Sequence, residues 1–152
     1  MRVEQRPAAD GYLRVHGPWQ REHELVLELG LDVQLLEAHP RMRANAGKVC
    51  LRRGPLVYCL EQADNGANLS ALSLDLGSEL QTRPAPDLAP GALAIVAKGW
   101  RRSEQSWEEA AYRVTNSAPA AQAVELVAVP YYLWGNRGVG EMSVWVRRHA
   151  GG

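Results

Sequence analysis

Apolar and polar residues alternate along much of this chain with a period of two, the spacing of a strand that buries one face. Leu25, Leu27 and Leu29 interleave with Glu24, Val26 and Glu28, and Met142, Val144 and Val146 interleave with Ser143, Trp145 and Arg147. Strands are expected at 12–16 after Asp10-Gly11, at 24–29, 33–38, 48–53 and 56–61, and again at 92–98, 122–129 and 141–148. Asn45-Ala46-Gly47 and Gly54-Pro55 supply turn chemistry between them. Leu56 to Leu60 is continuously apolar, which suits a strand covered on both faces. Residues 62–91 carry Asp64-Asn65-Gly66 and Pro84, Pro86 and Pro90, and read as turns around one short strand at 72–76. Ser106-Trp107-Glu108-Glu109 has capping-box spacing, so one turn of helix leading into a strand at 112–114 is expected there. Many short strands joined by Gly and Pro turns predict an all-β fold, an antiparallel β-sandwich of jelly-roll-like type or a barrel.

Composition narrows the function classes. The 152 residues are 46% hydrophobic and 22% charged, ordinary for a globular domain that buries its own core. There is no Phe but five Trp and five Tyr, whose polar tips place many of these rings at rims and interfaces. Lys plus Arg and Asp plus Glu both total 17, a balance that argues against nucleic acid and anionic membrane as partners. Arg41, Arg43, Lys48, Arg52 and Arg53 read as a solvated basic strand face rather than a phosphate site. No run is long enough to span a bilayer, and residues 1–7 lack the apolar stretch of a signal peptide. A soluble, cytoplasmic location is the expectation.

Reactive residues are sparse. Cys50 and Cys59 are the only cysteines. With Gly54-Pro55 at a hairpin tip they fall opposite each other, so a cross-strand disulfide is conceivable, but two buried thiols are favoured in a cytosolic chain. His16, His23, His39 and His149 lack metal-ligand spacing, and His149 lies near a tail expected to be loose. No nucleophile elbow, P-loop or dinucleotide fingerprint is present, and Glu108-Glu109 reads as a helix start. The distinctive local feature is Pro130-Tyr131-Tyr132-Leu133-Trp134-Gly135-Asn136-Arg137-Gly138, with Glu141 beside it. Tyr131, Tyr132 and Trp134 with Asn136 and Arg137 suit either a sugar-stacking platform or an anchor against another protein surface, with docking favoured. Glu141 is expected to pair with Arg137 rather than to catalyse.

Two stretches carry a family resemblance. One is Arg53-Gly54-Pro55-Leu56-Val57-Tyr58-Cys59-Leu60-Glu61, with Asn45-Ala46-Gly47-Lys48-Val49 before it and Asp64-Asn65 after. The other runs from Pro130-Tyr131-Tyr132 and Trp134 through Asn136-Arg137-Gly138 and Gly140-Glu141-Met142 to Val144-Trp145. Together with Gly11-Tyr12, Trp19 and Leu25-Val26-Leu27, they resemble the C-terminal region of glycoside hydrolase family 127, the β-L-arabinofuranosidase-like proteins. The resemblance implies a catalytic (α/α) barrel followed by β-sandwich domains. The cysteine nucleophile, and a zinc ion held by further cysteines and a glutamate, would all lie in that barrel, which this sequence does not contain. Residues 1–40 then correspond to the closing strands of a first, incomplete sandwich and 41–152 to a second. The implied function is a non-catalytic module, not an enzyme on its own, with no cofactor. It would brace a catalytic barrel or a homodimer contact, and the alternative is a carbohydrate-binding module using the 130–138 loop.

Overall fold

A computed structural model of the chain describes residues 2–3, 9–20, 22, 24–26, 30–104, 111–112, 114 and 120–149. The chain divides into two compact units, Met1–Gly30 and Leu31–Gly152. In the first, β1 (Arg2–Val3) pairs antiparallel with β2 (Val15–His16). Leu25 and Val26 are exposed and lie outside any strand, although alternation suggested one at 24–29; Leu27 and Leu29 fall outside the described residues.

The second unit holds the core. It begins with β3 (Val33–Glu37), β4 (Lys48–Arg53) and β5 (Leu56–Glu61), followed by the single helical turn α1 (Gln62–Asn65). Next come β6 (Leu72–Leu74), β7 (Gln81–Pro84) and the long pair β8 (Leu93–Arg102) and β9 (Ala121–Pro130). The last strands are β10 (Met142–Ser143) and β11 (Trp145–Arg148). β3 belongs to the second unit, where Val33 registers against Arg53 and Glu37 against Val49.

The all-β expectation holds, as one large sandwich-like sheet folded on itself. Following the pairs β4–β5–β9–β8–β6–β11 returns to β4, so six strands close a ring. All of its pairings are antiparallel except β6 with β11, where Arg147 lies beside Ser73. Tyr58, Leu60, Leu72, Ile95, Leu126 and Val146 fill the interior. Among the described residues, Tyr58 departs from the rim expectation, being buried in that core.

The corner of the ring is made by the β4–β5 hairpin. Gly54 at its tip has φ +54°, a left-handed conformation that glycine adopts without strain, and a Cβ there would strike the Leu31 side chain at 2.4 Å. Beyond Arg52–Val57 the hairpin strands part, and residues 142–148 enter the opening. β10 pairs with β5 (Ser143 with Leu60), the chain bends at Val144, and β11 pairs with β4 (Val146 with Val49). The single strand expected at 141–148 is thus two, because the segment passes from one layer to the other, as corner strands do.

This geometry keeps the two cysteines apart in the pairing scheme. The register that sets 50 opposite 59 holds only at the tip; Cys50 pairs with Trp145 and Leu36, and Cys59 with Val129. Both are buried free thiols. Burial, reinforced by the Glu61 carboxylate, pushes the Cys59 thiol up to about 12.

β7 and α1 are among the elements that escaped the sequence reading. β7 is exposed at every residue, so it shows no alternation, and it pairs only with β8, ending at Pro84 as edge strands tolerate. α1 was read as a turn; Gly66 at φ +73° closes it, its N–H donating to the Gln62 carbonyl at 2.8 Å. The helical turn expected at 106–110 lies outside the described residues. His149 is not loose: its N–H donates to the Leu74 carbonyl at 2.8 Å and its ring stacks on Trp100.

Gly99 is the tightest point of the core. An added Cβ would lie 2.5 Å from Leu126 Cδ1 and 2.7 Å from the Ser73 carbonyl oxygen, which belongs to the backbone and cannot swing aside. Gly99→Ala is expected to destabilise by about 1–3 kcal/mol in urea denaturation. Gly77→Ala, whose Cβ would meet only Asp75 Oδ1 at 3.4 Å, should stay within about 0.5 kcal/mol of the parent. Equal effects would remove the packing explanation. The cysteines give a second test. Both thiols should resist a thiol-specific disulfide reagent in the folded protein and react fully in denaturant. Because the folded Cys59 pKa exceeds the ordinary value of 9.0, the native state holds the proton longer, so stability should fall as pH rises from about 9 towards 12. Cys59→Ala should flatten that decline.

Candidate functional site

β9 ends at Pro130, buried and paired with Tyr58, and the chain then makes a single 3₁₀ turn at Tyr131–Leu133. That turn throws the rings outward: Tyr131 is 45% exposed, Tyr132 62% and Trp134 44%. Tyr131 and Trp134 stack with centroids 6.3 Å apart and planes 13° from parallel. Asn136 points back into the loop, its Nδ2 donating to the Leu133 carbonyl at 3.1 Å.

The loop is anchored by Arg137. Its Nη1 donates to Asp64 Oδ1 at 2.7 Å, and its Nη2 reaches both Asp64 and the buried Glu61. Glu61 is only 6% exposed and also accepts the Gly135 N–H on Oε1 at 2.9 Å. The Asp64 bonds, with Glu61 behind them, raise the Arg137 pKa further above its already high value. Glu61 reaches this position because it ends β5, where the continuously apolar strand gives way to α1. Asn65 completes the junction by acting as a surrogate strand residue. Its Oδ1 accepts the Val127 N–H at 2.9 Å and its Nδ2 donates to the Val127 carbonyl at 2.8 Å.

Glu141 is not paired with Arg137 as expected. Its carboxylate accepts the backbone N–H groups of Asn68 at 2.9 Å and Leu69 at 2.8 Å, tying the far side of the loop to the 69–71 turn. Those bonds, Leu69 first, hold its carboxyl below the usual range. It therefore adds stability at neutral pH that is lost as the pH falls through the carboxylate range. A carboxylate so tuned stays ionised, the opposite of what a general acid needs. The Glu141 backbone closes the site, donating to Gln62 Oε1 and accepting the Gln62 N–H.

Trp134, Arg137 and Glu141 thus converge around one cleft of about 270 Å³, which Glu61, Gln62 and Val139 also line. Tyr131 and Tyr132 project beside it rather than line it, and Asn136 is turned into the loop's own hydrogen bonding. Sequence reasoning missed Glu61 and Asp64 as the partners of Arg137. The one available signal was an acid at the end of an otherwise apolar strand, which must be paired if buried. The arrangement presents aromatic rings on a charge-locked base. Arg137→Ala would leave Glu61 buried without its cation and is expected to cost about 2–4 kcal/mol of stability, somewhat below a fully buried pair because the guanidinium is partly open; Asn136→Ala should cost about 1 kcal/mol or less. Thermal or urea denaturation of the two variants checks this ordering.

Residues 33–147 match the glycoside hydrolase family 127 C-terminal domain. A non-reducing end β-L-arabinofuranosidase of Bifidobacterium longum subsp. longum is 35% identical over 128 residues, 82% of this chain and 20% of the relative. A crystal structure of a β-L-arabinofuranosidase of the same family from Geobacillus stearothermophilus T6 superposes with a TM-score of 0.73 at 45% identity, covering 78% of this chain and 18% of that one. A second family member, a β-arabinofuranosidase, gives 0.65 at 29% identity over 78% of this chain and 17% of its own. The chain therefore spans about a fifth of the length of these relatives. With the match running from β3 into β11, the chain belongs to the C-terminal domain of glycoside hydrolase family 127.

Proposed function

We propose that this chain is a non-catalytic C-terminal β-sandwich module of a β-L-arabinofuranosidase-like glycoside hydrolase, and that it braces the catalytic (α/α) barrel through the 131–141 loop. The observation that carries this reading is the exposed ring cluster standing on the Glu61–Asp64–Arg137 clamp. Exposed aromatics on a loop anchored by a partly buried ion-pair cluster lose less entropy on docking, and Tyr, Trp and Arg are enriched at such anchors. The length of the relatives supports an occupant from the same enzyme, since four-fifths of their chain lies outside this region.

The reading assigns no metal to this module. A zinc ligand or cysteine nucleophile must be a thiolate, whereas burial keeps Cys59 a thiol. Among the described residues, no group of three or more His, Cys, Asp or Glu converges to hold a metal ion. Zinc chemistry, in this proposal, belongs to the barrel. Among the described residues no helix is long and apolar enough to cross a membrane.

The test mixes the purified chain with a barrel fragment of a family member and measures association by calorimetry. Trp134→Ala is expected to weaken it by about 2 kcal/mol, a hot-spot loss. Unchanged association would refute docking. Self-association of the chain alone, abolished by Trp134→Ala, would assign the loop to a dimer contact instead.

A further inference from the structure

A second concave surface lies on the outer face of β8 and β9. Along β8, Ile95, Ala97 and Gly99 are buried, so Val96, Lys98 and Trp100 face outward. Across the strand pair Lys98 faces Glu125, and Trp100 faces Ala123, whose small side chain leaves the ring uncovered from that side. The 75–79 turn forms a wall pinned to this floor. The Asp75 N–H donates to the Lys98 carbonyl at 3.1 Å, and the Lys98 N–H donates to Ser78 Oγ at 2.8 Å. The turn is braced internally by Asp75 Oδ1, which accepts the Gly77 N–H at 2.9 Å. Together they enclose a groove of about 520 Å³ lined by Trp100, Lys98, Glu79, Gln81, Glu125 and Asp75, within the ~300–1,000 Å³ usual for small-ligand sites.

We propose that this groove binds a short neutral oligosaccharide, with Trp100 as the stacking platform. The ring is already fixed: it stacks on His149 at 4.8 Å and 18°, and His149 Nδ1 lies 3.4 Å from Ser73 Oγ. A half-buried indole held this way packs an apolar sugar face with little entropy to lose. Gln81, Glu79 and Lys98 are exposed; the Gln81 Nε2 donates to Glu79 Oε2 at 3.0 Å, which leaves the Gln81 carbonyl oxygen, the second Glu79 oxygen and the Lys98 ammonium for ligand hydroxyls. Asp75, Glu79 and Glu125 stand against Lys98 in the lining, with Glu125 also paired to Arg83 at 3.1 Å, and the remaining acidic excess disfavours phosphorylated or uronic-acid ligands. Strand addition to β8 itself is not available, because β8 has β9 on one edge and β6 and β7 on the other. The carbohydrate class draws on the family membership, and the proposal does not depend on the docking loop.

Calorimetric titration of the whole chain with arabinotriose, xylotriose, cellotriose and trigalacturonate tests it. At least one neutral trisaccharide should bind saturably, and Trp100→Ala should weaken that binding by roughly tenfold or more. Lys98→Ala with Gln81→Ala, at two exposed positions that leave the fold intact, should weaken it by about threefold, and Trp134→Ala should leave it unchanged. Absence of saturable binding by every neutral trisaccharide overturns the proposal. So does binding that survives the Lys98/Gln81 double variant, preferential binding of trigalacturonate, or loss on Trp134→Ala. Failure here with Trp134→Ala still weakening barrel association would remove the groove and leave the docking reading standing.

Discussion

A carboxylate taken out of water at the end of β5 sets the terms for everything around it. Glu61 is paired through its backbone with Met142, bonded through its carbonyl to Asn65, and neutralised through its side chain by Arg137 and the Gly135 N–H. An unpaired charge at that depth is untenable, so the 134–137 turn has to fold back over β5. Once it does, the aromatic residues on the preceding turn are forced outward and Glu141 is delivered to the 69–71 turn. The clamp thus couples the packing of the sheet to the presentation of the loop.

The strands were legible where alternation or continuous apolarity reflected burial: β4, β5, β8 and β9 lie close to where their patterns put them. The elements that escaped have no such signature. Every residue of β7 is exposed, so its position is held by backbone pairing with β8 and the surface Arg83–Glu125 ion pair rather than by burial. The bend at Val144 was invisible for a different reason. Period-two alternation records which face is buried, but not which neighbour a strand takes, and residues 142–148 change neighbours midway. The same limit applies to Cys50 and Cys59, opposite by arithmetic yet assigned to different partner strands.

The aromatic loop was recognisable from composition, because three aromatics with Asn and Arg in nine residues stand out. Its foundation was not. Glu61 and Asp64 are separated from Arg137 by more than seventy positions in the chain, and pairing at that distance is a property of the fold. Glu141 shows the converse: sequence proximity suggested Arg137 as its partner, but two backbone N–H groups on the 69–71 turn compete better, offering donors in fixed positions.

The strand that fills the parted hairpin also bears on how the molecule assembles. β11 is synthesised after nearly all of the ring, yet β4 waits for it along one edge and β6 along the other. Until residues 142–148 arrive, both edges are open and the Val49–Val146 contact is missing from the core. Ring closure is therefore a late, non-local event, of the kind that slows β-rich chains. A nascent chain paused before this point would carry unpaired strand edges.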